Sequence, residues 1–167
     1  EGAVMHQIIL ADEINRTSPK TQSSLLEAME EGQTTVGGKK YKLPEPFMVI
    51  ATQNPSEFIG TYKLPEAQTD RFMMKLTVGY PDESEEMRMA ENMLNGKTTD
   101  TIESIMTAED VIEMKKKVSA VKIKEEVIRY ARDIADMTRN ESRFVMGISP
   151  RAVISLIKAS QAKAFLS

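Results

Sequence analysis

Residues 7–16, Gln-Ile-Ile-Leu-Ala-Asp-Glu-Ile-Asn-Arg, constrain the fold more tightly than the rest of the chain. Ile8, Ile9 and Leu10 in a row, followed by small Ala11, predict a strand buried on both faces, because a strand with one wet face alternates apolar and polar residues. Such strands belong to α/β sheets. The apolar run stops at Asp12 and Glu13, at the carboxyl end of the strand, where open parallel sheets place their ligands. Two adjacent acids there suit a magnesium nucleotide. One carboxylate holds the metal or its water shell, and the other orients and deprotonates an attacking water. Acids also end buried strands simply because the chain has reached solvent, and for this stretch taken alone that explanation carries more weight.

The segments that follow give the acids a context. Ser18-Pro19 is a hydroxyl N-cap followed by proline at the first helical position, Leu25, Leu26, Ala28 and Met29 recur at helical spacing, and Gly32 stops the helix. In residues 33–43, Gly37-Gly38 separates two β-favouring runs and predicts a hairpin with polar, basic flanks that projects from the body. Residues 47–51, Phe-Met-Val-Ile-Ala, predict a second buried strand that delivers Asn54 to the edge where Asp12 and Glu13 lie. Asn54-Pro55 is equally a common turn pair. Pro65-Glu66 opens a short helix through Asp70-Arg71, and residues 73–78 predict a third strand.

From Asp82 only helical patterns remain. Asp82 with Glu85 forms a capping-box start, and Thr107 with Asp110 starts another helix. Val127, Ile128, Ala131, Ile134 and Ala135 make one apolar stripe assigned to the core. Ser149-Pro150 repeats the hydroxyl-then-proline start, with Val153, Leu156, Ile157 and Ala164 behind it. His6, the lone histidine, sits beside the first strand, Lys115-Lys116-Lys117 reads as a solvated helix face, and the 12 methionines read as packing residues on helices.

Composition removes several classes of function. A net charge of −3 and a pI near 5.4 give no reason to expect nucleic acid or an anionic membrane as partner. The absence of cysteine excludes disulfides and thiolate metal sites and fits a reducing, cytoplasmic setting. No apolar run approaches the ~20 residues that span a bilayer. With 167 residues the chain holds one ordinary domain or two small ones. It lacks an initiator Met and ends inside a helical pattern, so a fragment is expected.

In this order, the strand with Asp12-Glu13, the strand with Asn54, Leu64-Pro65-Glu66-Ala67-Gln68-Thr69-Asp70-Arg71-Phe72, and Gly147-Ile148-Ser149-Pro150-Arg151-Ala152 resemble the AAA+ ATPases of the MoxR family. The resemblance covers essentially the whole chain. It implies an α/β fold made of the C-terminal half of an AAA+ P-loop-type sheet domain, residues 1–81, followed by a helical lid subdomain, residues 82–167. It also implies that Asp12 and Glu13 are the Walker B acids, Asp12 at the metal and Glu13 catalytic. Asn54 matches sensor 1, Arg71 the arginine finger, and Arg151 sensor 2 of the lid; Asn54 and Arg151 contact nucleotide. Residues 33–43 match the pre-sensor 1 hairpin of this clade. Each role has a plain rival: Arg71 pairs locally with Glu66 or Asp70, and Arg151 merely covers a surface.

The expected cofactors are ATP and Mg²⁺, bound between subunits of a hexameric ring. The expected activity is ATP hydrolysis that drives chaperone-like remodelling or maturation of client proteins, with von Willebrand factor A domain proteins as the clients the resemblance implies. The sequence departs from the family in lacking any Gly-x-x-x-x-Gly-Lys-Ser/Thr, the loop that cradles phosphates, so this chain alone is expected to be inactive. Residues 56–60 depart from the acidic stretch expected before Gly60-Thr61-Tyr62. Two other functions compete: a non-hydrolysing AAA+ assembly module, and a helicase-like relative, which the acidic balance and the wording of residues 64–72 disfavour.

Overall fold

The computed structural model describes residues 2–54, 62, 64–96 and 103–167. Two compact units form, one from residues 1–73 with 108–167 and the other from residues 74–107. In the first unit, β1 (Ile8–Ala11) pairs in parallel with β4 (Met48–Ala51), so that Ala11 stands opposite Ala51. Between them run α1 (Pro19–Glu31) and an antiparallel hairpin of β2 (Gln33–Val36) and β3 (Lys39–Lys42).

Local chemistry explains these elements. Ser18 accepts the Thr21 N–H at 3.2 Å and starts α1 one residue before Pro19, and Gly32, at φ 61°, ends it in the left-handed conformation that favours glycine. The two-residue hairpin turn needs positive φ at both centres, which Gly37 at 58° and Gly38 at 78° supply without steric cost. Every residue of β3 is exposed, as its polar sequence requires. The core here is Ile14, Leu26, Ala28, Leu43 and Leu64.

The helical part of this unit contains α4 (Ala108–Ala120), α5 (Glu125–Asn140) and α6 (Pro150–Leu166), with α6 packed on both α4 and α5. Ala131 and Ala135 are buried on α5. Gly147 lies against α5 so closely that a Cβ would come within 2.6 Å of the Arg139 Cα. Around it, Ile148 N–H donates to Thr138 Oγ1 at 3.1 Å and Arg139 Nε donates to the Ile148 carbonyl at 3.1 Å. This close approach fixes where α6 begins. The short α2 (Glu66–Thr69) follows Pro65.

In the second unit, α3 (Glu83–Leu94) starts in a reciprocal capping box between Asp82 and Glu85. The Glu85 N–H and the Ser84 hydroxyl hold the Asp82 carboxyl below the usual carboxylate range.

Several expectations require correction. β1 is not buried on both faces: Ile8 and Leu10 are 62% and 66% exposed, and in β4 Met48 and Ile50 face out in the same way. Residues 73–78 form no strand, because among the described residues nothing pairs with them, and Leu76 and Val78 are exposed. Of the α5 stripe, Val127 and Ile128 stand in solvent. Met74, Met87, Met89 and Met93 are exposed rather than packed. The turn after Asn54, residues 56–60 and the Thr-rich residues 97–102 lie outside the described residues.

Candidate active site

Parallel pairing in register sets the geometry at the strand ends. Because Ala11 stands opposite Ala51, Asp12 and Thr52 emerge side by side. The Thr52 N–H donates to the Ala11 carbonyl at 3.1 Å and the Ile14 N–H donates to the Thr52 carbonyl at 3.0 Å, which carries the ladder past the last paired residues. Thr52 Oγ1 then joins the two acids: it accepts the Glu13 N–H at 2.8 Å and donates to Asp12 Oδ1 at 2.5 Å. One hydroxyl thus fixes both the backbone of Glu13 and the carboxylate of Asp12.

Glu13 itself has φ 46° and ψ 53°, a left-handed conformation that side chains rarely adopt. The chain bends sharply there into a turn at Ile14–Arg16. Arg16 pairs with the Glu13 carboxylate at 3.2 Å. Beneath the turn lies Gln22, 2% exposed, whose amide donates to the carbonyls of Ile14, Thr17 and Tyr62 at 3.1, 3.3 and 3.3 Å. A buried amide that meets three carbonyls holds a loop that no regular hydrogen-bonding pattern holds. Asn15 is also buried; it donates to the Asn54 carbonyl at 3.4 Å and accepts the Tyr62 N–H at 2.6 Å. Asn54 is thereby tied to the segment that carries the acids.

Arg71 and Arg151 meet elsewhere. Arg71 donates from Nη1 to Glu30 Oε2, and Arg151 donates from Nη2 to Glu30 Oε1 at 2.6 Å. Asp70 lies beside them: its Oδ1 accepts the Ser149 hydroxyl at 2.6 Å and its Oδ2 is 3.9 Å from Arg151 Nη1. Ser149 also caps α6 by accepting the Ala152 N–H at 3.0 Å. The partner of Arg71 is therefore neither Glu66 nor Asp70 but the distant Glu30. Sequence reasoning passed over Thr52, Gln22, Asn15, Arg16 and Glu30, and none of them carries a local signal.

Asp12 offers one carboxylate oxygen beyond the one engaged by Thr52. That suits Mg²⁺, which keeps several waters, takes one or two carboxylates and binds phosphate oxygens. Among the described residues no group of three or more acidic, histidine or cysteine ligands forms a cage. The surface hollow lined by Glu31, Gln33, Lys42, Glu45 and Phe47 shares no residue with the acids. No helix of the described residues is long and apolar enough to cross a membrane.

Comparison with known proteins gives the family and the fold. Residues 1–74 match the profile of the ATPase family associated with various cellular activities (AAA). Uncharacterized protein YeaC of Bacillus subtilis is 48% identical over 165 residues, 99% of this chain and 52% of that protein. Chaperone MoxR1 of Mycobacterium tuberculosis is 36% identical over 174 residues, 99% of this chain and 46% of that protein. A crystal structure of a candidate ATPase from Cytophaga hutchinsonii superposes with a TM-score of 0.90 at 39% identity, over 99% of this chain and 53% of the other. The chain thus spans about half the length of the relatives it matches.

Proposed function

Since the chain belongs to the MoxR-type AAA+ ATPases, we propose that it supplies the hydrolytic residues of an ATPase whose turnover drives chaperone-like remodelling or maturation of client proteins. The observation that carries this reading is the Thr52 hydroxyl, which holds Asp12 and Glu13 side by side at the carboxyl end of a parallel strand pair. Open sheets place phosphoryl chemistry at that edge.

Each residue then has a defined task. Asp12 would hold the Mg²⁺ of a bound ATP, with the carboxylate oxygen that Thr52 does not engage available to it. When bound, that ion neutralises charge on the phosphates. Glu13 orients and deprotonates the attacking water, and Asn54 hydrogen-bonds that water or the terminal phosphate. Arg71 neutralises charge that develops in a neighbouring subunit's site, and Arg151 does so from the helical part. In this reading residues 1–81 are the second half of the sheet domain and residues 82–167 are the lid. The assembly is a hexameric ring in the cytoplasm, with clients that include von Willebrand factor A domain proteins.

The test is made in the full-length protein that carries the phosphate-binding loop. Glu13→Gln keeps shape and hydrogen bonding but removes the base, so ATP still binds while turnover falls about 10²-fold or more. Arg71→Ala is inactive alone, but mixed with Glu13→Gln it regains activity at interfaces where one subunit supplies Glu13 and the other Arg71. Turnover of Glu13→Gln within a few-fold of the parent would assign Glu13 to structure. Failure of proven mixed rings to regain activity would remove the finger role from Arg71.

A further inference from the structure

Both oxygens of the Glu30 carboxylate are committed, each to a different arginine. The three side chains come from distant parts of the chain, with 41 residues separating Arg71 from Glu30 and 121 separating Arg151 from Glu30. They are half-buried, with 33%, 43% and 44% of Arg71, Glu30 and Arg151 exposed. Glu30 also sits where its own helix disfavours it. The last turn of α1 is the negative end of the helix dipole and contains no basic residue. The two arginines are the charges that offset this. Conversely, two guanidinium groups drawn to one place repel each other unless an anion lies between them. Each arginine spends one terminal nitrogen on Glu30, and Arg71 Nε is buried with no partner of its own among the described residues.

We propose that Glu30 is a positioning residue that couples Arg71 to Arg151, so that the two guanidinium groups meet the polyphosphate of a bound nucleotide as one unit. The inference rests on the arginine roles given above. Glu30 has no direct role in the chemistry in this proposal. It acts by removing the mutual repulsion of the arginines and by selecting one rotamer for each.

The experiment compares single, double and triple variants of the full-length protein. Glu30→Gln keeps size and polarity and removes the charge. It is expected to melt like the parent while kcat for ATP falls about 10-fold or more, and to weaken ATP binding no further in the Arg71→Ala/Arg151→Ala background, where affinity can still be titrated, since residues that act as one unit are not additive. Glu30→Asp, which restores the charge on a shorter stem, recovers part of the loss. Parental turnover of Glu30→Gln beside an inactive Arg71→Ala overturns the coupling and leaves the arginine roles intact. A further loss of ATP affinity in the triple variant, multiplying that of the double, also overturns it. Parental turnover of Arg71→Ala and Arg151→Ala overturns the arginine roles themselves and is seen without any Glu30 variant. If neither Glu30→Gln nor Glu30→Asp folds, Glu30 is a stability residue and the proposal falls.

Discussion

At position 52 one oxygen atom holds two acids, and its removal separates two effects. Thr52→Val keeps the branched shape, but it leaves the Glu13 N–H without its acceptor and Asp12 without its donor. The expected cost is about 1–2 kcal/mol in denaturant unfolding of the chain. In the full-length protein, ATP turnover is expected to fall about 10-fold, and Thr52→Ser should restore it. Equal turnover for the valine and serine variants would show that the hydroxyl plays no part in aligning the acids. Asp12 and Glu13 are legible in the sequence because an apolar run stops abruptly at them. Thr52 reads only as the polar end of β4, since its role depends on the register of two strands far apart in the chain, and a single sequence carries no register. Gln22 is hidden for a related reason. A glutamine inside an amphipathic helix looks solvated until the turn that folds over it is known.

Elements defined by their own termini are legible: α1, the Gly-Gly hairpin, α3 and α6 each announce a cap or a turn. Elements defined by a partner are not. The β-favouring residues 73–78 would need a neighbouring strand, and the outward faces of Ile8 and Leu10 depend on what covers the sheet. The close approach of Gly147 to α5 belongs to this second kind, because nothing in Gly147-Ile148-Ser149 reveals that Arg139 backbone lies within 2.8 Å of a hypothetical Cβ. Backbone atoms cannot swing aside as a long side chain can. Gly147→Ala should therefore push the start of α6 off Thr138 and Arg139 and destabilise the chain by about 1–3 kcal/mol in denaturant unfolding. It should also displace Arg151, four residues on. Unfolding that matches the parent would mean that the loop relaxes freely.

The molecule as a whole is an AAA+ ATPase-like fold of mixed α/β content that spans about half of its relatives' length. Its sequence contains the acids and arginines proposed above for hydrolysis but no glycine-rich phosphate loop. Phosphate affinity in such folds comes chiefly from backbone N–H groups and a lysine in that loop. Calorimetric titration of the 167-residue chain with Mg-ATP is accordingly expected to show no micromolar binding. A one-to-one isotherm would reveal a phosphate site built from other residues. The left-handed backbone of Glu13 has a different bearing. Among the described residues Glu13 is the one non-glycine with positive φ, and holding an L side chain there costs on the order of 1–2 kcal/mol. Glycine at that position would relieve the strain and abolish the proposed base, so durability and turnover pull the same codon in opposite directions. A lineage that no longer needed hydrolysis would be free to drift toward glycine or asparagine there. If Glu13 is the proposed base, the glutamate is kept there at the expense of a sturdier fold.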